Sequence, residues 1–264
     1  CTGGYAREEA FENDIDLFIV CGDDESDFMR YASMIVNDLN RELNKQGVSP
    51  HHRFAETFNS FVIPLDLMEE RFQSPEEDDF IEWGQLMGAR LLVGSQKYDR
   101  ALTGLLQRNL FKNPARFVVC LLNEIRDRKE LFARSKSKSV NVKENPGGLR
   151  DIQTVIQACQ AYIGDREPDI WKTLNTLKEE IPELVSEFNV LERVYKFLRT
   201  FKDIYYLSLS AEDDMIRDRL IQVSQRMGIE TDELDSGEGT APRLVNRYKN
   251  RRYRARQAIG VIED

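Results

Sequence analysis

Apolar positions along the 264-residue chain change their period part-way. Near the start, Ile15-Asp16-Leu17-Phe18-Ile19-Val20 is a short, mostly apolar run rich in β-branched residues. Closed by Gly22-Asp23-Asp24, it predicts a strand. A helix is expected next, because Phe28, Ala32, Ile35, Leu39 and Leu43 recur at helical spacing. Ser60-Phe61-Val62-Ile63, running on to Leu67, predicts a second strand, which Pro64 shortens or confines to an edge. From about Pro75 the spacing becomes helical. Phe80, Trp83, Met87 and Leu91 form one stripe, and Phe117, Val118, Leu121, Leu122 and Ile125 a second. Ile152, Val155, Ile156, Cys159 and Ile163 form a third, narrow and clean. Between Phe188 and Tyr206 the stripe is broad, as in a helix buried among several others.

Two irregular stretches punctuate the helices. Residues 134–148 are rich in Ser, Lys, Asn and Gly, and residues 230–242 are acidic and read as a linker. A basic run from Arg243 to Arg256 follows, which reads as a solvated helix face or a surface for an acidic partner. The expected fold is therefore α+β. A small α/β domain covers residues 1–74, a mainly helical domain residues 75–229, and a linker with a basic C-terminal helix residues 230–264.

Composition narrows the function classes. A net charge of −9 argues against a nucleic-acid partner. No apolar run approaches the ~18 residues of a membrane span. Four scattered cysteines and two adjacent histidines, without a C-x-x-C pair, disfavour a zinc site or a disulfide framework. A reducing, cytoplasmic setting is expected. The opening Cys1-Thr2-Gly3-Gly4 reads as the middle of a motif, so the natural protein is expected to begin upstream.

Chemistry concentrates in two segments. Asp14-Ile15-Asp16 enters the first strand, where residues two apart share a face. Two carboxylates there can hold Mg²⁺, a hard cation that prefers oxygen ligands. Set against this is a plain solvated strand end. Gly3-Gly4, ten residues upstream, suits close approach of backbone amides to phosphate, or simply a tight turn. The second segment is Lys143 to Asp151. Pro146-Gly147-Gly148 would free amides ahead of a helix, and Lys143 and Arg150 would add cationic donors. The competing reading is an ordinary loop before a helix capped near Asp151. Asp66 is a third candidate carboxylate, on the second predicted strand. His51-His52 are read as loop residues.

These segments carry a resemblance. Gly3-Gly4-Tyr5-Ala6-Arg7-Glu8-Glu9 with Asn13-Asp14-Ile15-Asp16-Leu17 resembles the polymerase-beta-type nucleotidyltransferase motif. The version it resembles most is that of PII uridylyltransferases and glutamine synthetase adenylyltransferases. Asn141-Val142-Lys143-Glu144-Asn145-Pro146-Gly147-Gly148-Leu149-Arg150-Asp151-Ile152-Gln153-Thr154 resembles the diagnostic loop of the uridylyltransferases. Ala89 to Gly94 and Ala211 to Asp214 sit where that family has similar segments. Ala6 replaces the family's usual Gly, Asn13 its usual Ser, and the loop from Glu9 to Asp14 is one residue short.

The resemblance implies a nucleotidyltransferase α/β domain with an attached helical domain. It implies Asp14 and Asp16 as catalytic metal ligands for one or two Mg²⁺ ions. Gly3, Gly4, Arg7, Lys143, Gly147, Gly148 and Arg150 would bind the nucleotide, UTP or ATP, and a protein such as PII would accept it. The loop is expected near the Asp14/Asp16 strand. Adenylylation of glutamine synthetase or another protein, and a regulatory nucleotide-binding module without turnover, remain the alternatives. Nucleotide removal is not expected from these residues, which offer no His-Asp constellation.

Overall fold

The apolar run at residues 15–20 forms two strands rather than one. In the computed structural model, β1 (Asp14–Leu17) and β2 (Ile19–Cys21) are separated by Phe18, and each finds its own parallel partner. The structure describes residues 1–2, 6–7, 14–22, 26–53, 55–73, 83–135, 139–209, 214–215, 220–229 and 240–263. Gly3, Gly4, Asn13, Phe80, the 211–213 segment and most of the 230–242 linker lie outside them, as do the side chains of Asp14 and Phe28.

Parallel neighbours cannot be joined by a tight turn and need a crossover. The chain supplies one as α1 (Ser26–Lys45), which leads from β2 to β3 (Ser49–His52). β3 pairs with β1, setting Asp14 opposite Ser49 and Asp16 opposite His51. β2 pairs with β4 (Val62–Pro64). Ala32 and Val36 of α1 pack on Cys21 and Val62, with Ile19 beside them. The expected α1 stripe is thus rotated: Ile35 and Leu39 are 66% and 40% exposed. Two narrow strand pairs cover less of the helix than its apolar residues span, and the small Ala32 permits the close approach.

The second predicted strand ends earlier than expected. Pro64 has no amide to donate to a ladder, and Leu65 opens α2 (Leu65–Gln73) directly. Asp66 consequently sits in the first turn of a helix, where its Oδ1 accepts from the Leu67 amide at 2.9 Å. It is exposed and does not lie on a strand.

Contacts gather the chain into two units. The first comprises residues 1–120 and 160–173, the second residues 121–159 and 174–264. This division departs from the compositional boundaries at 74/75 and 229/230. Part of the reason is packing: residues 83–87 are helical, and Trp83 stacks on Phe72 of α2 at 4.1 Å between centroids. That contact draws helical chain into the first unit. So does α3 (Gln96–Leu106), capped by Ser95 and running into a π turn at Gln107–Phe111. The 160–173 segment is fastened there by Arg166, which donates to the Ala89 carbonyl at 2.9 Å and to Thr103 Oγ1.

Four longer helices supply the second unit in whole or part: α4 (Ala115–Arg134), α5 (Leu149–Ile163), α6 (Ile170–Glu180) and α7 (Val185–Ser208). A two-residue strand, β5 (Val140–Asn141), pairs antiparallel with β6 (Asp214–Met215), and α8 (Leu220–Arg226) and α9 (Thr240–Glu263) follow. The broad stripe of α7 is buried as expected, with Phe188, Leu191, Tyr195, Leu198, Phe201 and Tyr205 among its inward residues. α9 packs along α7 and buries Leu244, Tyr248, Ala255, Ala258 and Ile259. The basic C-terminal run is therefore one side of a core helix. No described helix is long and apolar enough to cross a membrane.

Cys159 lies on the clean inner stripe of α5, and burial pushes its thiol up to about 12. A thiol held protonated is a poor nucleophile. Peptide mapping after iodoacetamide treatment at pH 8 should find Cys159 unmodified in the native protein and modified in urea. Rapid labelling without denaturant would contradict its placement.

Candidate functional site

The two chemistry-bearing segments fall in different units, and each has its own local geometry.

In the first unit, the site is built on β1. In a parallel pair, residues opposite one another share a face, and alternate residues share it along each strand. Asp16 therefore shares a face with His51, whereas Leu17 is paired with His52. His52 turns to the other side, where it meets Asn40 Oδ1 at 2.7 Å and packs edge-on against Phe61. Burial pulls the His52 imidazole below its ordinary range, with the neighbouring His51 adding to the effect. The histidines are thus strand residues, not loop residues. The ladder continues one step beyond β3: the Arg53 amide donates to the Leu17 carbonyl at 2.7 Å. Its side chain returns to Asp16, with Nε donating to Oδ1 at 2.9 Å.

Backbone bonds bring the opening residues to the same strand. The Thr2 amide donates to the Asp16 carbonyl at 3.0 Å, and the Ala6 amide to the Thr2 carbonyl at 3.3 Å. Thr2 and Ala6 are buried, and among the described residues Thr2 Oγ1 has no hydrogen-bond partner. Arg7 is half-buried, while Gly3 and Gly4, between Thr2 and Ala6, lie outside the described residues. Asp16 carries hard oxygen donors on a partly exposed side chain, 16% accessible, which suits Mg²⁺. Among the described residues no group of three or more metal-ligating side chains occurs.

In the second unit, the loop after β5 is held by bonds to two helices, α5 and α9. The Asn141 side chain accepts from the amides of Lys143 at 3.0 Å and Glu144 at 2.8 Å, which turns the chain. Asn145 is buried and donates to Ser139 O and to Tyr248 Oη on α9, which in turn donates to Asn141 O at 2.8 Å. Burial raises the Tyr248 phenol, so that donor stays protonated. Arg252, one turn on, donates to the Pro146 carbonyl at 2.8 Å. The start of α5 is closed by the same loop: the Leu149 amide bonds Val142 O, and the Arg150 amide bonds Lys143 O.

Asp151 anchors this arrangement. Only 3% exposed, its carboxylate accepts from the Gly147 amide at 2.7 Å and from Arg128 Nε at 3.0 Å. Arg128, on α4, is shared with Glu124 and Thr154.

The glycines follow from this packing. Gly147 has φ +76°, and a Cβ there would lie 2.4 Å from the Arg252 carbonyl. A Cβ on Gly148 would lie within 2.7 Å of three loop carbonyls. The expectation that they free amides for phosphate meets a different geometry. The Gly147 amide is bound to Asp151 and the Gly148 amide to Asn145 O at 2.7 Å. The cationic side chains remain accessible: Arg150 is exposed and pairs with Glu144 at 3.0 Å, and Lys143 is half-buried. A small cleft of about 80 Å³ opens beside the loop, lined by Arg126, Lys129, Pro146, Asp151 and Arg256 among others.

Sequence reading missed Arg53, because Ser-Pro-His-His does not look like a strand. It also missed Arg128 and Tyr248, which sit on helices where the pattern only reports an inner and an outer face.

Known proteins resemble the chain along its length. The family model GlnD PII-uridylyltransferase matches residues 116–260, more than half of the chain, including the whole 141–154 loop. A bifunctional uridylyltransferase/uridylyl-removing enzyme from Cupriavidus pinatubonensis is 24% identical over 94% of the chain and 26% of its own length. The enzyme of that name from Stutzerimonas stutzeri is 22% identical over 100% of the chain and 26% of its own length. That from Idiomarina loihiensis is 29% identical over 58% of the chain. The chain spans about a quarter of the length of the relatives it matches from end to end.

Gly147→Ala forces a left-handed residue to carry a Cβ and drives it into the α9 backbone. Strain at such a φ costs about 1–2 kcal/mol, and overpacking about 1–3 kcal/mol more. Urea denaturation should show a loss of about 3 kcal/mol; unchanged stability would refute the packing account of this glycine.

Proposed function

Because the chain belongs to the GlnD PII-uridylyltransferase family, we propose that it performs nucleotidyl transfer. A nucleoside monophosphate, UMP in preference to AMP, passes from a nucleoside triphosphate to a hydroxyl of a protein acceptor such as PII. The observation that carries this reading is the Asp14-x-Asp16 pair at the start of β1, followed by the family's loop at 141–154.

The acceptor oxygen attacks the α-phosphorus, the bond to the bridging oxygen breaks, and pyrophosphate leaves with the electron pair. Mg²⁺, when bound, polarises the phosphate oxygens and favours loss of the acceptor's proton. Asp14 and Asp16 hold the metal. Gly3, Gly4 and Arg7 are the phosphate-binding residues of this reading, and Lys143 and Arg150 add cationic donors for the nucleotide. Gly147 and Gly148 serve by keeping the loop closed on α9, so that Lys143 and Arg150 are presented from a fixed backbone. Asp66, in the first turn of α2, is the remaining candidate for a third carboxylate. The negative chain is suited to a small anionic substrate only where such cations are gathered, and it is not suited to nucleic acid. Four free cysteines fit a cytoplasmic setting.

Asp14→Asn and Asp16→Asn each keep side-chain shape and remove a charge that the metal needs. Both should abolish transfer of labelled nucleotide to PII while the melting temperature is kept; near-normal transfer by either variant would sink the metal site. Calorimetry with Mg²⁺ should show tighter binding of UTP than of ATP. The reverse preference would move the protein to adenylyl transfer, and binding of both without transfer to any acceptor would make it a regulatory module.

A further inference from the structure

Arg7 is the one cationic nucleotide ligand assigned from the sequence within the first 70 residues. The β1–β3 register changes that. Asp16 and His51 share a face, and Arg53 lies two positions beyond His51. Its amide is fixed to Leu17 O, so its Cα is held by the ladder rather than by a free loop. From that position the guanidinium reaches Asp16, a residue the proposed chemistry requires as a metal ligand.

We infer that Arg53 is a triphosphate-binding residue of the nucleotide site, and that without nucleotide it holds the carboxylate of Asp16. This rests on the nucleotidyl-transfer reading above. A guanidinium bound through Nε to one oxygen of a carboxylate keeps its other N–H groups for further acceptors. The side chain is 43% exposed, against 16% for Asp16, so its outer end faces solvent. An arginine in this position has two competing anions. Metal binding to Asp16 neutralises the first and leaves the phosphates as the stronger partner, with the planar fork suited to two phosphate oxygens at once. Arg53 thus screens the Asp16 charge before substrate arrives and contacts substrate afterwards. A merely structural arginine would do only the former.

The two roles predict opposite signs in one variant. The probes are Mn²⁺ alone, followed by electron paramagnetic resonance, and UTP with Mg²⁺, followed by calorimetry, both on the full 264-residue chain. Arg53→Ala should bind Mn²⁺ about threefold to tenfold tighter, because a positive charge beside the ligand is gone. The same variant should bind UTP about tenfold or more weakly. Arg53→Lys, which keeps the charge without the fork, should restore the wild-type Mn²⁺ affinity and only part of the UTP affinity. An unchanged UTP affinity in Arg53→Ala overturns the triphosphate role, and an unchanged Mn²⁺ affinity overturns the hold on Asp16. Parallel weakening of both with a lowered melting temperature would make Arg53 structural and overturn the inference. If the wild type binds Mn²⁺ no better than Asp16→Asn, the metal site itself fails, and that result is distinct from the others.

Discussion

A buried carboxylate organises the second unit. Removing an ionised group from water is unfavourable unless partners replace its hydration. Asp151 has them in the Arg128 guanidinium and the Gly147 amide. Each partner commits a different piece of chain: Arg128 fixes α4, Gly147 fixes the loop, and Asp151 itself lies in the first turn of α5. Deleting one member would leave an uncompensated charge in the interior, typically a loss of about 3–5 kcal/mol. Replacing the whole set by apolar side chains would be milder, so the network specifies an arrangement more than it adds stability.

Once the loop is fixed, α9 can be placed. Arg252 and Tyr248 reach it from that helix and donate to the inward carbonyls at Pro146 and Asn141. The apolar residues at 244, 255, 258 and 259 lie on the inner side of the same helix. A run that is basic in sequence thus has an apolar seam and two polar bonds facing in, with most of its charge facing out. Charge counting along the chain sees the outer side alone, because it does not weight residues by position around the helix.

The legible parts of the sequence were those in which one residue class repeats at one period. The α5 and α7 stripes, the β1–β2 run and the loop motif at 141–154 were all visible in that way. What failed did so for local reasons. Ser49-Pro50-His51-His52 becomes a strand because β1 offers it a parallel ladder, not because its own residues prefer one, and β preference is strongly contextual. Pro64 was read as a weakness within a strand, whereas it is the strand's last residue, Leu65 opens the helix and Asp66 lies in its first turn. On α1 the apolar residues outnumber the positions the sheet can cover, so spacing alone could not choose Ala32 and Val36 over Ile35 and Leu39.

The glycines at 147 and 148 show how a motif can be correctly located and yet incompletely explained by its chemistry. Paired glycines before a helix suggest open amides waiting for phosphate. Here the amides are taken by Asp151 and Asn145, and the missing Cβ atoms make room for an α9 carbonyl and three loop carbonyls. An amide engaged in this way cannot also receive an anion without giving up its partner, and for Gly147 that partner is a buried charge. Any part this loop takes in binding must therefore come from side chains it holds outward, such as Arg150. Such a division of labour puts the same residues under two constraints: the backbone must pack without a Cβ while the neighbouring positions carry charge. Gly147, Gly148 and Arg150 within four positions meet both, since the last lies just inside α5 with its side chain in solvent.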